Sequence, residues 1–240
     1  NAIVAVPEKE LKVGIVNDNM IADYVILDAV IIKELPRKIA ASTGVDALCH
    51  AVECFTSNKK NPFSDIFALQ AFEMIMKNIE KACDDPEALK EKNNMLVASF
   101  YAGAAITASG TTAVHALSYP LGGRYHIPHG VSNAILLAPV MRFNEPVCRG
   151  LFAEAYDRLA AGESFATEAK SEEEKSAWVV NRMEEIGEHW NIPKSLKEFG
   201  IGSEDLDELV EAGMGVQRLL VNNMRTVTAE DAKKIYLEII

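Results

Sequence analysis

The chain is 240 residues long and carries 24 lysines and arginines against 35 aspartates and glutamates, a formal net charge of -11 at pH 7. Nothing basic is clustered, which excludes nucleic acid as the main partner, because phosphate binding relies on grouped Lys and Arg. A hydrophobic content of 49% with 25% charged residues excludes disorder and suits a globular chain long enough to bury a sizeable core. The longest apolar run, about Ala134 to Met141, is far short of a membrane span and contains Pro139, so no membrane partner is expected.

Residues 1–35 read as short β-branched runs, AIVAV, KVGIV and DYVILD, separated by the turns PEKE and NDNMIA. So short a strand-rich opening cannot build its own core, and its open edges offer a pairing surface for a homodimer. From Pro36 onward the pattern is helical. Val45, Leu48, Val52 and Phe55 recur at three- and four-residue steps, predicting one apolar face on a helix from Lys38 to Ser57. Asn61-Pro62 opens a second helix, about Phe63 to Cys83, that Asp84-Asp85-Pro86 ends. Met95 to Ala108 is apolar nearly all round and predicts a buried helix. The segment from Val114 to Asn144 predicts a helix, a tight loop and a further helix starting near Pro128. Beyond it come helices around Val147–Ala161, Glu172–Trp190, Glu204–Ala212 and Ala229–Ile239, punctuated by Gly162, Pro193, Gly200, Gly202, Gly213 and Gly215. No signal-peptide pattern opens these residues. Cys49, Cys54, Cys83 and Cys148 show neither CxxC spacing nor a dense framework; they read as core or incidental thiols and suit the reduced state of a cytoplasm.

Three of the five histidines, His115, His126 and His129, fall within fifteen residues. Asp46 and His50 stand four apart on the first helix, so their side chains project from one face. Asp46, His50, His115 and His129 together make one carboxylate and three imidazoles, a set suited to a borderline divalent ion such as Fe²⁺ or Zn²⁺ and not to Ca²⁺ or Mg²⁺, which prefer oxygen. Spacing alone does not bring these helices together, and a plain structural role for each residue stays open. Glu53 lies on the same side of its helix as a candidate general base or as a polar flank. His126 faces either a pocket beside His129 or water, and His189 reads as structural.

The run TGVDALCHAVE at Thr43–Glu53, followed by VHALSYPLGGRYHIPHGVSNAILLAPVMRFN, resembles in order and spacing the two signatures of the iron-containing (group III) alcohol dehydrogenases. YVILDAVIIKELP before them resembles the segment joining that family's two domains. The likeness thins between about Glu163 and Gly202 and returns at RTVTAEDAKKIY. It implies a mainly α fold, the all-helical metal-binding domain of the dehydroquinate synthase-like, iron alcohol dehydrogenase type. That domain would occupy residues 36–240, with residues 1–35 as trailing strands of a cofactor domain or an interdomain segment. It also implies Asp46, His50, His115 and His129 as iron ligands, and reversible hydride transfer between a small alcohol or aldehyde and NAD or NADP.

Three departures bear on the carry-over. The family's glycine-rich GGGS-type turn for the dinucleotide is not found in these residues, so the chain reads as the metal-binding domain without its nucleotide-binding partner. Family members often carry another histidine four residues after the His115 position, near the nicotinamide, where this chain has Tyr119. Where the family commonly has Asn-Pro-Arg, this chain reads Asn222-Asn223-Met224-Arg225. Two further readings stand beside this one: a helical metal-dependent hydrolase or non-redox metal-binding module, in which the same ligands activate water, and a Zn²⁺ enzyme of the glycerol dehydrogenase branch.

Overall fold

A computed structural model describes residues 2–6, 11–15, 17–161 and 170–240. Two strands, β1 (Ala2–Val6) and β2 (Leu11–Ile15), pair antiparallel with Ala2 opposite Ile15 and Val6 opposite Leu11. The PEKE turn between them and Gly162 lie outside the described residues. DYVILD forms no strand. β2 pairs only with β1 among the described residues, so this β-branched run finds no ladder to join. It passes along the surface with Tyr24 91% and Ile26 87% exposed, into one 3₁₀ turn at Ala29–Ile32 that Asp28 caps through the Val30 N–H.

The remainder is helical: α1 (Arg37–Phe55), α2 (Pro62–Asp84), α3 (Leu89–Ser109), α4 (Ala113–Gly123), α5 (His129–Ala160), α6 (Glu172–His189), α7 (Leu206–Met214), α8 (Gln217–Leu220) and α9 (Ala229–Leu237). The starts follow the sequence chemistry. Asn61 caps α2 by accepting from Phe63 and Ser64 N–H, Ser64 Oγ answers the Asn61 N–H, and Pro62 takes the first helical position. Ser171 with Glu174 and Thr228 with Asp231 build the same reciprocal caps on α6 and α9.

Helix α1 is the central element, packed against α2, α3, α4 and α5. It was expected to bury one face, yet Ala41, Gly44, Val45, Ala47, Leu48, Cys49, Ala51, Val52, Glu53, Cys54 and Phe55 are all buried, because neighbours surround it. Helix α3 departs in the opposite sense: only Lys92, Ala98, Ala102, Ala105 and Ser109 are buried. Phe100 is exposed and Gly103 faces open space, since α3 packs on α1 and α2 from the edge. The separate helix expected from Val147 is instead the second half of α5, a single 32-residue helix carrying Pro139 and Pro146 inside it. Each proline removes one N–H from the ladder at a cost of about 3 kcal/mol. Burial of Ile135, Leu136, Leu137, Val140, Met141, Cys148 and Phe152 along α5 offsets that loss. All four cysteines are buried and free. No described helix is long and apolar enough to cross a membrane.

Two polar knots hold the ends of this bundle. Asn222 donates to the Thr111 carbonyl and Asn223 exchanges amide hydrogen bonds with Asn144, tying the turn before α4 to α5. At the other end, Asp84 accepts from Arg37 Nε at 2.7 Å and Trp190 Nε1 at 2.8 Å and pairs with His189 Nε2 at 2.5 Å, joining the starts and ends of α1, α2 and α6. His189 is therefore structural. Partial burial pushes the Asp84 carboxyl up, but the hydrogen bonds from Arg37, His189 and Trp190 outweigh it and hold the group at about 2, below its ordinary 3.8. A depressed carboxyl contributes stability that is present above pH 3.8 and lost as pH falls through 2. Asp84→Asn is expected to lower stability at neutral pH and to flatten its acid dependence across that window, read by denaturant unfolding at stepped pH.

Candidate metal centre

The middle of α1 meets the first turns of α4 and α5, and the site lies where these three elements converge. Asp46 and His50 stand one turn apart on α1. With His115 at the start of α4, they place one ligand atom each within 4.8 Å of one another. His129, the first residue of α5, brings Nε2 to 3.7 Å from Asp46 Oδ1, the same separation as His115 Nε2. The His50 and His115 rings stack at 4.6 Å, and His115 meets His129 edge-on at 5.4 Å.

Close approach of α5 to α1 depends on Gly130: a Cβ there would collide with the Ser42 backbone carbonyl. His126, in contrast, sits on the exposed α4–α5 turn with φ at +57° and makes no hydrogen bond among the described residues. The chain does not bring it to the cluster.

Two further residues complete the geometry. Asn133, one turn after His129 on α5, places its amide nitrogen 2.5 Å from Asp46 Oδ1, 3.1 Å from His115 Nε2 and 3.3 Å from His129 Nε2. An amide has two N–H donors for those three neighbours, while its own Oδ1 is buried without a hydrogen-bond partner. A polar centre with more acceptors than donors suits a cation. Asn133 was not singled out from sequence, although its four-residue spacing from His129 repeats that of Asp46 and His50.

Glu53 is the second. Fully buried on α1, it accepts through Oε1 from Thr112 Oγ1 at 2.8 Å, Val114 N–H at 2.7 Å and His115 N–H at 3.4 Å, and its Oε2 pairs with His115 Nδ1. Helix α4 has no side-chain cap of its own. Glu53 supplies one from another helix, satisfying N–H groups that the first turn leaves without partners, at the positive end of the helix dipole. By engaging Nδ1–H it also sets the His115 tautomer that turns the Nε2 lone pair to the cluster. Glu53 is thus neither a polar flank nor a base facing solvent.

Burial raises the Asp46 carboxyl, but His50, His115, His129 and the Asn133 amide together leave it below its ordinary range. Burial, reinforced by the neighbouring His115, brings His50 down to about 4. An ionised carboxylate and a neutral imidazole at neutral pH are the states a metal ion binds. Tyr119, one turn after His115 on α4, is buried, and its hydroxyl accepts from Arg218 Nη2 at 2.8 Å.

The sequence profile described as Fe-containing alcohol dehydrogenase family, C-terminal, matches residues 40–240. The chain belongs to the iron-containing alcohol dehydrogenase family. It is 35% identical over 222 residues to long-chain-alcohol dehydrogenase 1 of Geobacillus thermodenitrificans, covering 92% of this chain and 55% of that protein. It is 32% identical over 241 residues to 4-hydroxybutyrate dehydrogenase of Clostridium kluyveri, covering 98% of this chain and 62% of that one. The chain thus spans little more than half the length of these curated relatives. Among solved structures, an archaeal halo-thermophilic Red Sea brine pool alcohol dehydrogenase superposes with a TM-score of 0.88 at 29% identity, over 100% of this chain and 60% of that one. The helical fold is that of this family, and membership of the family implies a metal.

If Glu53 orients His115, Glu53→Gln should weaken Zn²⁺ or Co²⁺ binding about 10- to 100-fold in a chelator-competition titration, because an amide N–H then opposes the His115 Nδ1–H. Gly130→Ala should cost about 1–3 kcal/mol of stability through overpacking and weaken the same binding, read by denaturant unfolding and the same titration.

Proposed function

We propose that this chain is the metal-binding, substrate-holding part of an oxidoreductase that interconverts a small aldehyde or ketone with its alcohol by hydride exchange with NAD or NADP. Asp46, His50, His115 and His129 would hold Fe²⁺, with Zn²⁺ the alternative that the same ligand types accept. The observation that carries the reading is the meeting of one carboxylate and three imidazoles from α1, α4 and α5 around the Asn133 amide. When bound, the ion supplies Lewis acidity toward the substrate oxygen. The chain's own residues do the rest of the positioning. Glu53 holds His115, Asn133 can donate a hydrogen bond into the centre, and the Tyr119 ring forms a wall one turn along α4. Residues 1–35 are read as the trailing strands or interdomain segment next to a nucleotide-binding half.

The names of the relatives support alcohols and aldehydes as the substrate class. Free, buried thiols support a reducing, cytoplasmic setting, and the short β1–β2 ribbon would offer an edge for a homodimer. A hydrolytic use of the ion usually draws on a general base or a second metal beside it, and the Glu53 oxygens, the candidate base, are spent on Thr112, Val114 and His115.

Anaerobic reconstitution followed by elemental mass spectrometry tests the reading. About one ion per chain is expected, retained with Fe²⁺ or Zn²⁺ and lost in both Asp46→Asn and His129→Ala. A parent chain that holds no ion, or variants that keep it, would contradict the assignment.

A further inference from the structure

Arg218 stands out in the ion-pair pattern of this acidic chain. Six of the eight arginines pair with carboxylates: Arg37, Arg124, Arg142, Arg149, Arg158 and Arg182. Arg225 stacks on Phe143 at 4.1 Å and donates to its carbonyl. Arg218 is exposed and has no carboxylate within 4.0 Å among the described residues, although the chain carries 35 acidic side chains. It is nevertheless held in place. Its guanidinium carbon lies 5.5 Å from the Tyr119 ring centroid, and one Nη2–H is spent on the Tyr119 hydroxyl. The flanking Leu219 and Leu220 are buried, and the Asn222 amide, also bonded to Thr111, reaches the Arg218 carbonyl at 3.4 Å. Tyr119 and His115 stand four apart on α4 and so share a face, which sets this cation one helical turn beyond a candidate ligand of the metal.

From this placement we infer that Arg218 receives the far-end carboxylate of the substrate, so that the site takes short ω-carboxylated aldehydes and the corresponding ω-hydroxy acids in preference to plain alcohols. The inference rests on the proposed function, since it needs the oxygen end of the ligand to sit at the metal. A guanidinium offers five N–H donors in a rigid fork; with one engaged by Tyr119, the remaining edge still fits a carboxylate through two parallel hydrogen bonds. Stacking on the phenol orders the fork before the ligand arrives, which lowers the entropy lost on binding. A neutral alcohol would leave this cation unpaired.

The test uses the Zn²⁺-loaded chain, its metal content measured first, in NMR titrations with 4-hydroxybutanoate, 1-butanol and adenosine 2′,5′-bisphosphate. The hydroxy acid is expected to bind at least about tenfold more tightly than the alcohol, the scale of a charge-assisted hydrogen bond. That preference should vanish in Arg218→Gln and return in part in Arg218→Lys, while all three proteins stay folded and hold the same amount of metal. A parent without the preference, or Arg218→Gln with the preference intact, overturns the inference. So does a loss in Arg218→Gln confined to the bisphosphate, which would assign the guanidinium to nucleotide phosphate. A parent that takes up no Zn²⁺ overturns the proposed function itself, and the inference with it.

Discussion

The site depends on one buried carboxylate. Glu53 lies inside the protein on the central helix, where an acidic group without partners would cost several kcal/mol, and its partners all come from the beginning of α4. The arrangement satisfies both sides: the carboxylate gains donors, and a helix start with no cap of its own gains an acceptor. Losing a helix cap costs about 0.5–2 kcal/mol, and stranding a buried hydrogen-bonding group about 1–3. Helix α4 therefore has one favoured seat on α1. His115, in the first turn of α4, inherits its position and its ring orientation from that seat.

The same logic extends to α5. Its first residue is His129, and Gly130 lets its backbone come against Ser42 of α1 without a side chain intervening. Two helix starts, each with a positive dipole end, thus face the carboxylate-bearing middle of α1, and each delivers one imidazole. Asn133 bridges them by reaching Asp46, His115 and His129 together. The site is built on three helices and not on loops, which suits a donor set whose positions must hold within a fraction of an ångström.

Much of this was legible in the residues. The Asp46–His50 spacing, the histidine-rich stretch, the Pro36 and Asn61-Pro62 punctuation and the two family signatures point to a helical metal domain from the residues alone. What failed to show did so for identifiable reasons. Glu53 looked like a polar flank because periodicity ranks faces by hydrophobicity, and an interhelical cap leaves no local pattern. Helix α5 looked divided before Val147 because Pro146 is a local stop signal, whereas the burial that carries the helix through it is tertiary. Helix α3 looked fully buried because small apolar residues do not say how many neighbours will cover them. DYVILD had strand composition but no ladder partner among the described residues. Arg218 gave no signal at all, since its meaning lies in a contact with Tyr119 across 99 residues of sequence.

X-ray absorption at the metal edge of the loaded chain probes the central claim, that α1, α4 and α5 deliver one carboxylate and three imidazoles to a single ion. The account predicts a first shell of nitrogen and oxygen ligands near 2.0–2.2 Å for Zn²⁺, with outer-shell scattering from about three imidazole rings, falling to about two in His129→Ala. A shell fitted by oxygen alone, or one unchanged by that substitution, would contradict it.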